Sequence, residues 1–403
     1  MPISLPVHNP SRSITRHDFV DRSAPRQQDR VLVIVFLRGA ADGLTLVAPT
    51  ADDDYYRARP TLAVKKADAL DLNGYFALNA SLKPLMKHYQ AGDLAIVHGA
   101  GSEDNSRSHF DAQDFMEHGG NAGGGWLGRY LRARGPSASA LSAVAIGTTQ
   151  PESLRGAPAG AVMQTVRDFS FGDDDPTVID QLAKLYAAEA GPLGQAARDT
   201  VEAVKRLREI RSRNDPPANG AQYPDSNFGR GLREIARLIK ADVGLLTTTI
   251  DINGWDTHFV QQQLIPGLMS DLANGIDAFF TDLGSESRRV TLVTMTEFGR
   301  RLKENTSFGT DHGAGSVMFL LGDGINSSQF AGGTVRSGWP DLSQRNLDEV
   351  GDVPARINYR DVLAPILTRH SPGIDLGRVF PGHNFAHPPN PAESQNGTTD
   401  QHA

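Results

Sequence analysis

Residues 31–44 read VLVIVFLRGAADGL, and this stretch decides the fold class. Val31 to Phe36 is an unbroken, largely β-branched apolar run, too short to cross a membrane. A run of this kind fits a strand buried on both faces, the usual state of a parallel strand in an α/β protein. Arg38, Gly39, Asp42 and Gly43 stand just past its carboxyl end. That edge is where open α/β sheets bind ligands.

The same pattern recurs outward along the chain. Further strands are expected at LAIVHG (Leu94 to Gly99), LSAVAIG (Leu141 to Gly147), VGLLTTTI (Val243 to Ile250), VTLVTMTEFG from Val290, and SVMFLLG from Ser316. Helical spacing fills the intervals, at LKPLMKHYQAG, around Phe110, Phe115 and Met116, at GLREIARLIKA, and along Leu264, Leu268, Leu272 and Phe279. The alternation predicts an α/β fold, a three-layer α/β/α sandwich with a mostly parallel central sheet. Val201, Val204, Leu207 and Ile210 sit at helical spacing in a nearly glycine-free run. They predict a helical hairpin or cap. A polar loop around Pro216 and Pro217 follows, and KENTSFGTDHGAG reads as a polar connection. The expected organisation is a polar N-terminal extension over 1–29, an α/β/α domain over 30–380 with a cap region at about 150–230, and a polar tail over 381–403.

Composition narrows the function. A chain of 403 residues buries roughly 75% of its extended surface, so its core needs no disulfide or structural metal. Lys and Arg number 40 against 47 Asp and Glu, a net charge of −7. This provides no electropositive field for nucleic acid, and no nucleic-acid partner is expected. No stable membrane insertion is expected either. The absence of cysteine excludes thiolate catalysis, iron–sulfur ligation and Cys-rich zinc sites, leaving Asp, Glu and His to hold any metal. Arg12, Arg16, Arg22 and Arg26 lie near the start without the apolar run of a signal peptide. As written the chain reads as cytoplasmic, with a periplasmic location as the alternative.

Four clusters placed after strands carry the chemistry: Asp42; Ser106, Ser108, His109 and Asp111; Asp251, Asp256 and His258; Glu297, Asp311 and His312. Carboxylates and imidazoles at the ends of different strands can converge on a divalent ion. Plainer readings stand beside this one. Asp42 before Gly43 suits a turn, Ser106 and Ser108 suit helix N-caps, and Asp256 suits a cap as well. Arg300 and Arg301 after TEFG are either anion clamps or a solvated turn.

The motifs FLRGAADGL, YYRARPTLAV, SRSHFDAQDFMEHG, GWLGRYL, GWDTH, MTEFGRRLKEN, TDHGAGSVMFLLGDGI and YRDVLAPIL together resemble the DUF1501 family over about residues 30–370. That family is placed in the alkaline phosphatase/sulfatase superfamily. The resemblance implies an alkaline phosphatase-like sandwich with a metal site at the strand ends. It implies metal ligation by Asp42, Asp256, His258, Asp311 and His312, with one or two ions, Zn or Mn ahead of Mg or Ca. Ser108, or else Ser106, takes the nucleophile position. His109 or His258 would orient a ligand or carry a proton, and Arg38 or Arg107 would neutralise the oxyanion. Two departures stand out: GWDTH gives Asp-x-His where the superfamily has Asp-x-x-x-His, and the expected late histidine has only His370 and His383 as candidates. TRHDF at Thr15 to Phe19 resembles the worn remnant of an export box. The expected activity is metal-dependent hydrolysis of a phosphate or sulfate ester, on a small-molecule or carbohydrate substrate. The alternatives are a non-catalytic protein binding an anionic or carbohydrate ligand on the same fold, or a non-phosphate enzyme activity.

Overall fold

A computed structural model describes residues 29–385 except 136–138, 169–175, 190, 213–214, 324 and 326–329. TRHDF, the four N-terminal arginines and most of the tail lie outside the described residues.

The Val31–Arg38 strand is at the centre of the main sheet, its apolar residues almost fully buried. On one side it pairs in parallel with Thr247–Asn253, beyond which lie Ala143–Ile146 and Ala161–Met163. On the other it pairs in parallel with Val290–Met295. Next comes Ser316–Gly322, antiparallel to both of its neighbours, then Leu94–Gly101, which also carries the short edge strands Val335–Ser337 and Ile357–Asn358. Because Ser316–Gly322 runs the opposite way, its start lies at the edge where the parallel strands end. The Asp311-His312 pair therefore reaches the same edge as the loops after Arg38, Gly101, Asn253 and Met295.

Register fixes the layers. Val35 is level with Ile250 and Thr294, so these three share one face, whereas Leu32, level with Thr247 and Thr291, faces the other way. A Cβ on Gly231 would stand 2.4 Å from Ile250 Cδ1, which puts the Asn227–Lys240 helix on the first face. His370, at the end of the Tyr359–His370 helix, has Nε2 2.8 Å from Thr291 Oγ1, on the second. The sheet is thus covered on both faces, the α/β/α arrangement expected from its apolar strands.

The differences from the sequence reading are local. The strand expected at Val243 to Ile250 pairs from Thr247 and runs on through Asn253, because Leu245 and Leu246 fill the core before the ladder begins. KENTSFGTDHGAG is not a simple connection: Arg300–Glu304 and Thr310–His312 pair as an antiparallel hairpin. The helices Pro176–Ala187 and Pro192–Ser212 occupy the expected hairpin, with Ile179, Val201 and Val204 forming a small apolar cluster between them. Among the described residues no helix is long and apolar enough to cross a membrane.

Candidate metal centre

Arg300 assembles the site. Its side chain is fully buried, and it donates to the carbonyls of Ala40 (2.8 Å), Gly39 (2.6 Å) and Thr310 (2.9 Å) and to Asp256 Oδ1 (2.6 Å). One guanidinium fork so ties together the loop after the first strand, the hairpin, and the loop carrying Asp256. It is neither a solvated turn nor a free anion clamp. The hairpin is seated closely: a Cβ on Gly309 would lie 2.2 Å from the His258 carbonyl carbon, and one on Gly313 would lie 2.4 Å from that of Arg300. Glycines flanking Asp311-His312 thus let the pair approach the GWDTH loop.

Three imidazoles converge there. The Nε2 atoms of His258, His109 and His312 lie 3.2, 3.4 and 3.5 Å from Asp256 Oδ1. His258 and His312 bring their Nε2 atoms within 2.9 Å of each other. Every one of these rings has an acceptor at its other nitrogen. His109 Nδ1 lies 2.8 Å from Glu297 Oε1, His312 Nδ1 2.8 Å from the Arg107 carbonyl, and His258 Nδ1 3.2 Å from Asp311 Oδ1. A carbonyl or carboxylate oxygen can only accept, so each Nδ1 carries the proton and each Nε2 lone pair points into the cluster. His109 Nε2 is buried without a hydrogen-bond partner.

Glu297, almost wholly buried, anchors this arrangement. Its Oε1 accepts from the Gly39 amide, Gln113 Nε2 and His109 Nδ1, each at 2.8 Å. Burial opposes its ionisation, but the His109 and Gln113 hydrogen bonds outweigh that and hold its carboxyl below the ordinary value. The Glu297 hydrogen bond raises His109 above its usual range against the opposing effect of burial. His312 is lowered, first by burial and further by the positive charges nearby. At Asp256 burial is outweighed by the Arg300 hydrogen bond and charge, and the carboxyl is held low. Asp311 is lowered chiefly by its hydrogen bond from Asn305. Backbone strain gathers here too, since Arg107, Val260 and Phe308 have φ of +53°, +42° and +58°.

The donor set suits a borderline divalent cation. His109, Asp256 and His312 each offer one ligand atom, all within 4.8 Å of one another. A tetrahedral ion with bonds of about 2.0 Å has ligand–ligand edges of roughly 3.3 Å, close to the spacings around Asp256 Oδ1. The acceptors behind each imidazole are the outer contacts that fix a metal-bound histidine.

The other expected residues are placed differently. Asp42 is fully buried and held by Arg59 through both oxygens, at 2.6 and 3.0 Å, with Thr45 and Gln261 also donating to Oδ2 at 2.6 Å. The structure does not bring it into the cluster. Ser108 caps the His109–His118 helix, accepting from the Asp111 amide at 3.4 Å, while Ser106 Oγ donates to Asp104 Oδ1 at 2.6 Å. Arg38 is engaged by Asp251, Glu117 and Gln113. Arg107 binds Asp352 at 2.9 Å. His370 lies under the sheet against Thr291, and His383 pairs with Asp361 at 2.9 Å, so neither late histidine joins the cluster. Glu297 stands past a strand end, and the sequence alone assigns it no role. Its signal was a carboxylate directly after a buried strand, like that of the other clusters.

Fold and site define an α/β/α protein with a His/Asp cluster at the carboxyl edge of its sheet. The chain belongs to the DUF1501 family, described as a protein of unknown function, whose match spans residues 94–384. Solved structures with some likeness include Ps i-CgsB, at 10% identity and TM-score 0.39 over 88% of this chain and 75% of that one. The 2-O GAG sulfatase BT1596 has 11% identity and TM-score 0.31 over 74% and 65%. The alkaline phosphatase from the Antarctic bacterium TAB5 has 9% identity and TM-score 0.29 over 73% and 92%. No curated protein matches the chain.

Proposed function

We propose that this protein is a metal-dependent hydrolase of a phosphate or sulfate ester, with zinc or manganese held by His109, Asp256 and His312. The observation that carries the reading is the convergence of imidazole lone pairs on Asp256 Oδ1, with each Nδ1 proton already committed. The motif resemblance to the alkaline phosphatase/sulfatase superfamily supports the ester class. When bound, the ion supplies Lewis acidity toward an ester oxygen. Glu297 and the Arg107 carbonyl keep two of the ligand rings in the required tautomer and orientation. Arg300 holds Asp256 ionised and in place.

Ser108 is the proposed nucleophile, since it directly precedes His109 and its hydroxyl is held only by the long cap contact among the described residues. A bond from Ser108 Oγ to phosphorus or sulfur forms as the ester P–O or S–O bond breaks. Hydrolysis of the seryl ester by water then frees the acid. His258, more exposed than the other two imidazoles, accepts the hydroxyl proton and gives it to the departing ester oxygen, which leaves as the alcohol. Arg107, half-exposed beside this serine, faces the oxyanion charge.

The test joins metal analysis to turnover of 4-nitrophenyl phosphate and 4-nitrophenyl sulfate. Wild type is expected to retain about one zinc or manganese per chain and to turn over one of the esters. His312→Ala is expected to lose both metal and turnover, and Ser108→Ala turnover alone. Retained metal with no turnover of any ester favours the second reading, a non-catalytic binding protein. The engagement of Arg38 by two carboxylates and of Ser106 by Asp104 speaks for that second reading.

A further inference from the structure

A cleft of about 620 Å³ opens beside the cluster, lined by Arg38, Gln113, Thr148, Thr149, Asn227 and Asn253 among others. That volume falls within the roughly 300–1,000 Å³ typical of small-molecule sites. It lies past the carboxyl ends of the Ala143–Ile146 and Thr247–Asn253 strands, on the same sheet edge as the metal centre. One side chain forms the partition between them. Gln113 accepts from Arg38 at 3.0 Å through Oε1 and donates through Nε2 to the Glu297 oxygen that holds His109.

The charges of the cleft cancel within the protein. Arg38 is paired with Asp251 at 2.6 Å, and Arg230 is paired with Asp225 and donates to Asn227 Oδ1 at 2.8 Å. The hydroxyls of Thr148 and Thr149 and the amide of Asn253, all exposed to solvent, are neutral groups that both donate and accept. A charged ligand finds no opposite net charge here, and a wholly apolar one leaves these groups unpaired. A hydroxyl- and amide-lined cleft whose charges are neutralised by the protein suits an uncharged ligand rich in hydroxyl groups.

We propose that this cleft is a saccharide subsite, so that the ester presented to the His109–Asp256–His312 centre is carried on a sugar. The second clause rests on the hydrolase reading; the first is tested without it. Uncharged methyl glycosides and disaccharides are titrated into the full chain, with binding read by saturation-transfer NMR and calorimetry. At least one glycoside is expected to bind wild type, to bind His312→Ala equally well, and to bind Thr148→Trp and Asn253→Trp at least tenfold more weakly. Both tryptophans replace exposed residues, and two separate positions guard against the misfolding of one. The subsite is refuted by an absence of glycoside binding to wild type, by undiminished binding to both tryptophan variants, or by a loss of binding in His312→Ala. Glycoside binding as expected, with sugar phosphates and sulfates left intact, refutes the hydrolase reading and leaves the subsite standing.

Discussion

Two neighbouring strands each deliver an aspartate to the same sheet edge, and the structure uses the two in opposite ways. Asp42 follows Val31–Arg38 and Asp256 follows Thr247–Asn253, and each accepts a 2.6 Å hydrogen bond from a fully buried arginine. Asp42 has no exposed surface and gives both oxygens to Arg59, Thr45 and Gln261. Asp256 keeps 47% of its side chain exposed and turns Oδ1 toward three imidazoles. A carboxylate whose acceptors are filled by its own fold is a structural pin. One whose neighbours beyond its arginine are imidazole lone pairs is suited to a cation. Arginine pairing alone does not separate the two cases; what surrounds the remaining acceptor capacity does.

The largest expected effect tests the pin. Asp42→Ala leaves the Arg59 charge buried and unpaired, which costs about 3–5 kcal/mol. Urea unfolding should show that loss, with most of it recovered in Asp42→Leu combined with Arg59→Met, where no buried charge is left alone. A loss under about 1 kcal/mol in the single variant would erase the contrast with Asp256.

Next comes an acid sensitivity on the Asp42 side of the molecule. His98 is fully buried, accepts from the Trp339 indole N–H at 3.2 Å through Nδ1, and donates from Nε2 to the Val47 carbonyl at 3.1 Å. Both nitrogens are thus satisfied in the neutral ring, and burial pushes its pKa down from 6.5 to about 4. Since the unfolded chain takes up this proton first, the stability is fully present above pH 6.5 and is lost as pH falls toward about 4. Lowering pH from 7 to 4.5 should cost wild type about 2–3 kcal/mol more than it costs His98→Gln. Parallel unfolding curves for the two proteins across that range would remove the assignment.

The same contrast explains what the sequence makes legible. Apolar runs such as Val31–Phe36 reveal their strands because a strand buried on both faces has no polar positions to disguise it. Asp256, His258, Asp311 and His312 are legible as candidates because they follow buried strands or lie in short polar connections. Arg59 is not legible as the partner of Asp42, and neither is Arg300 as the binder of three loops. Pairing is decided by which side chains meet in the fold, and Arg300 reaches back 260 positions to Ala40. Nor does spacing predict the antiparallel course of Ser316–Gly322, which brings His312 to the shared edge. The polar segment over 303–315 gives no strand pattern, because its part of the hairpin is held by Arg300 and close glycine contacts.

A smaller effect sharpens the Asp256 side. Glu297→Gln retains shape at His109 but removes the negative charge and leaves a side chain less able to accept from Gly39, Gln113 and His109 together. Loss of such an outer contact weakens metal affinity by about 10–100-fold. Competition with a zinc chelator should read that change, while Glu103→Gln, an exposed substitution at the same sheet edge, leaves the affinity unaltered. Equal affinities in wild type and Glu297→Gln would mean that His109 does not ligate through the ring nitrogen turned away from Glu297.

The smallest effect separates the two duties of Ser108. As N-cap of His109–His118 its oxygen accepts from the Asp111 amide, and replacement by alanine at such a position costs about 1 kcal/mol, whereas glycine costs only a few tenths. Thermal unfolding of Ser108→Ala and Ser108→Gly should therefore differ, with the glycine variant close to wild type. A nucleophile responds otherwise, because both replacements delete the same oxygen and ester turnover should vanish equally in each. If turnover instead follows stability, falling in Ser108→Ala and returning in Ser108→Gly, the hydroxyl serves only to start the helix that carries His109. The chemistry would then have to be sought among the groups around Asp256.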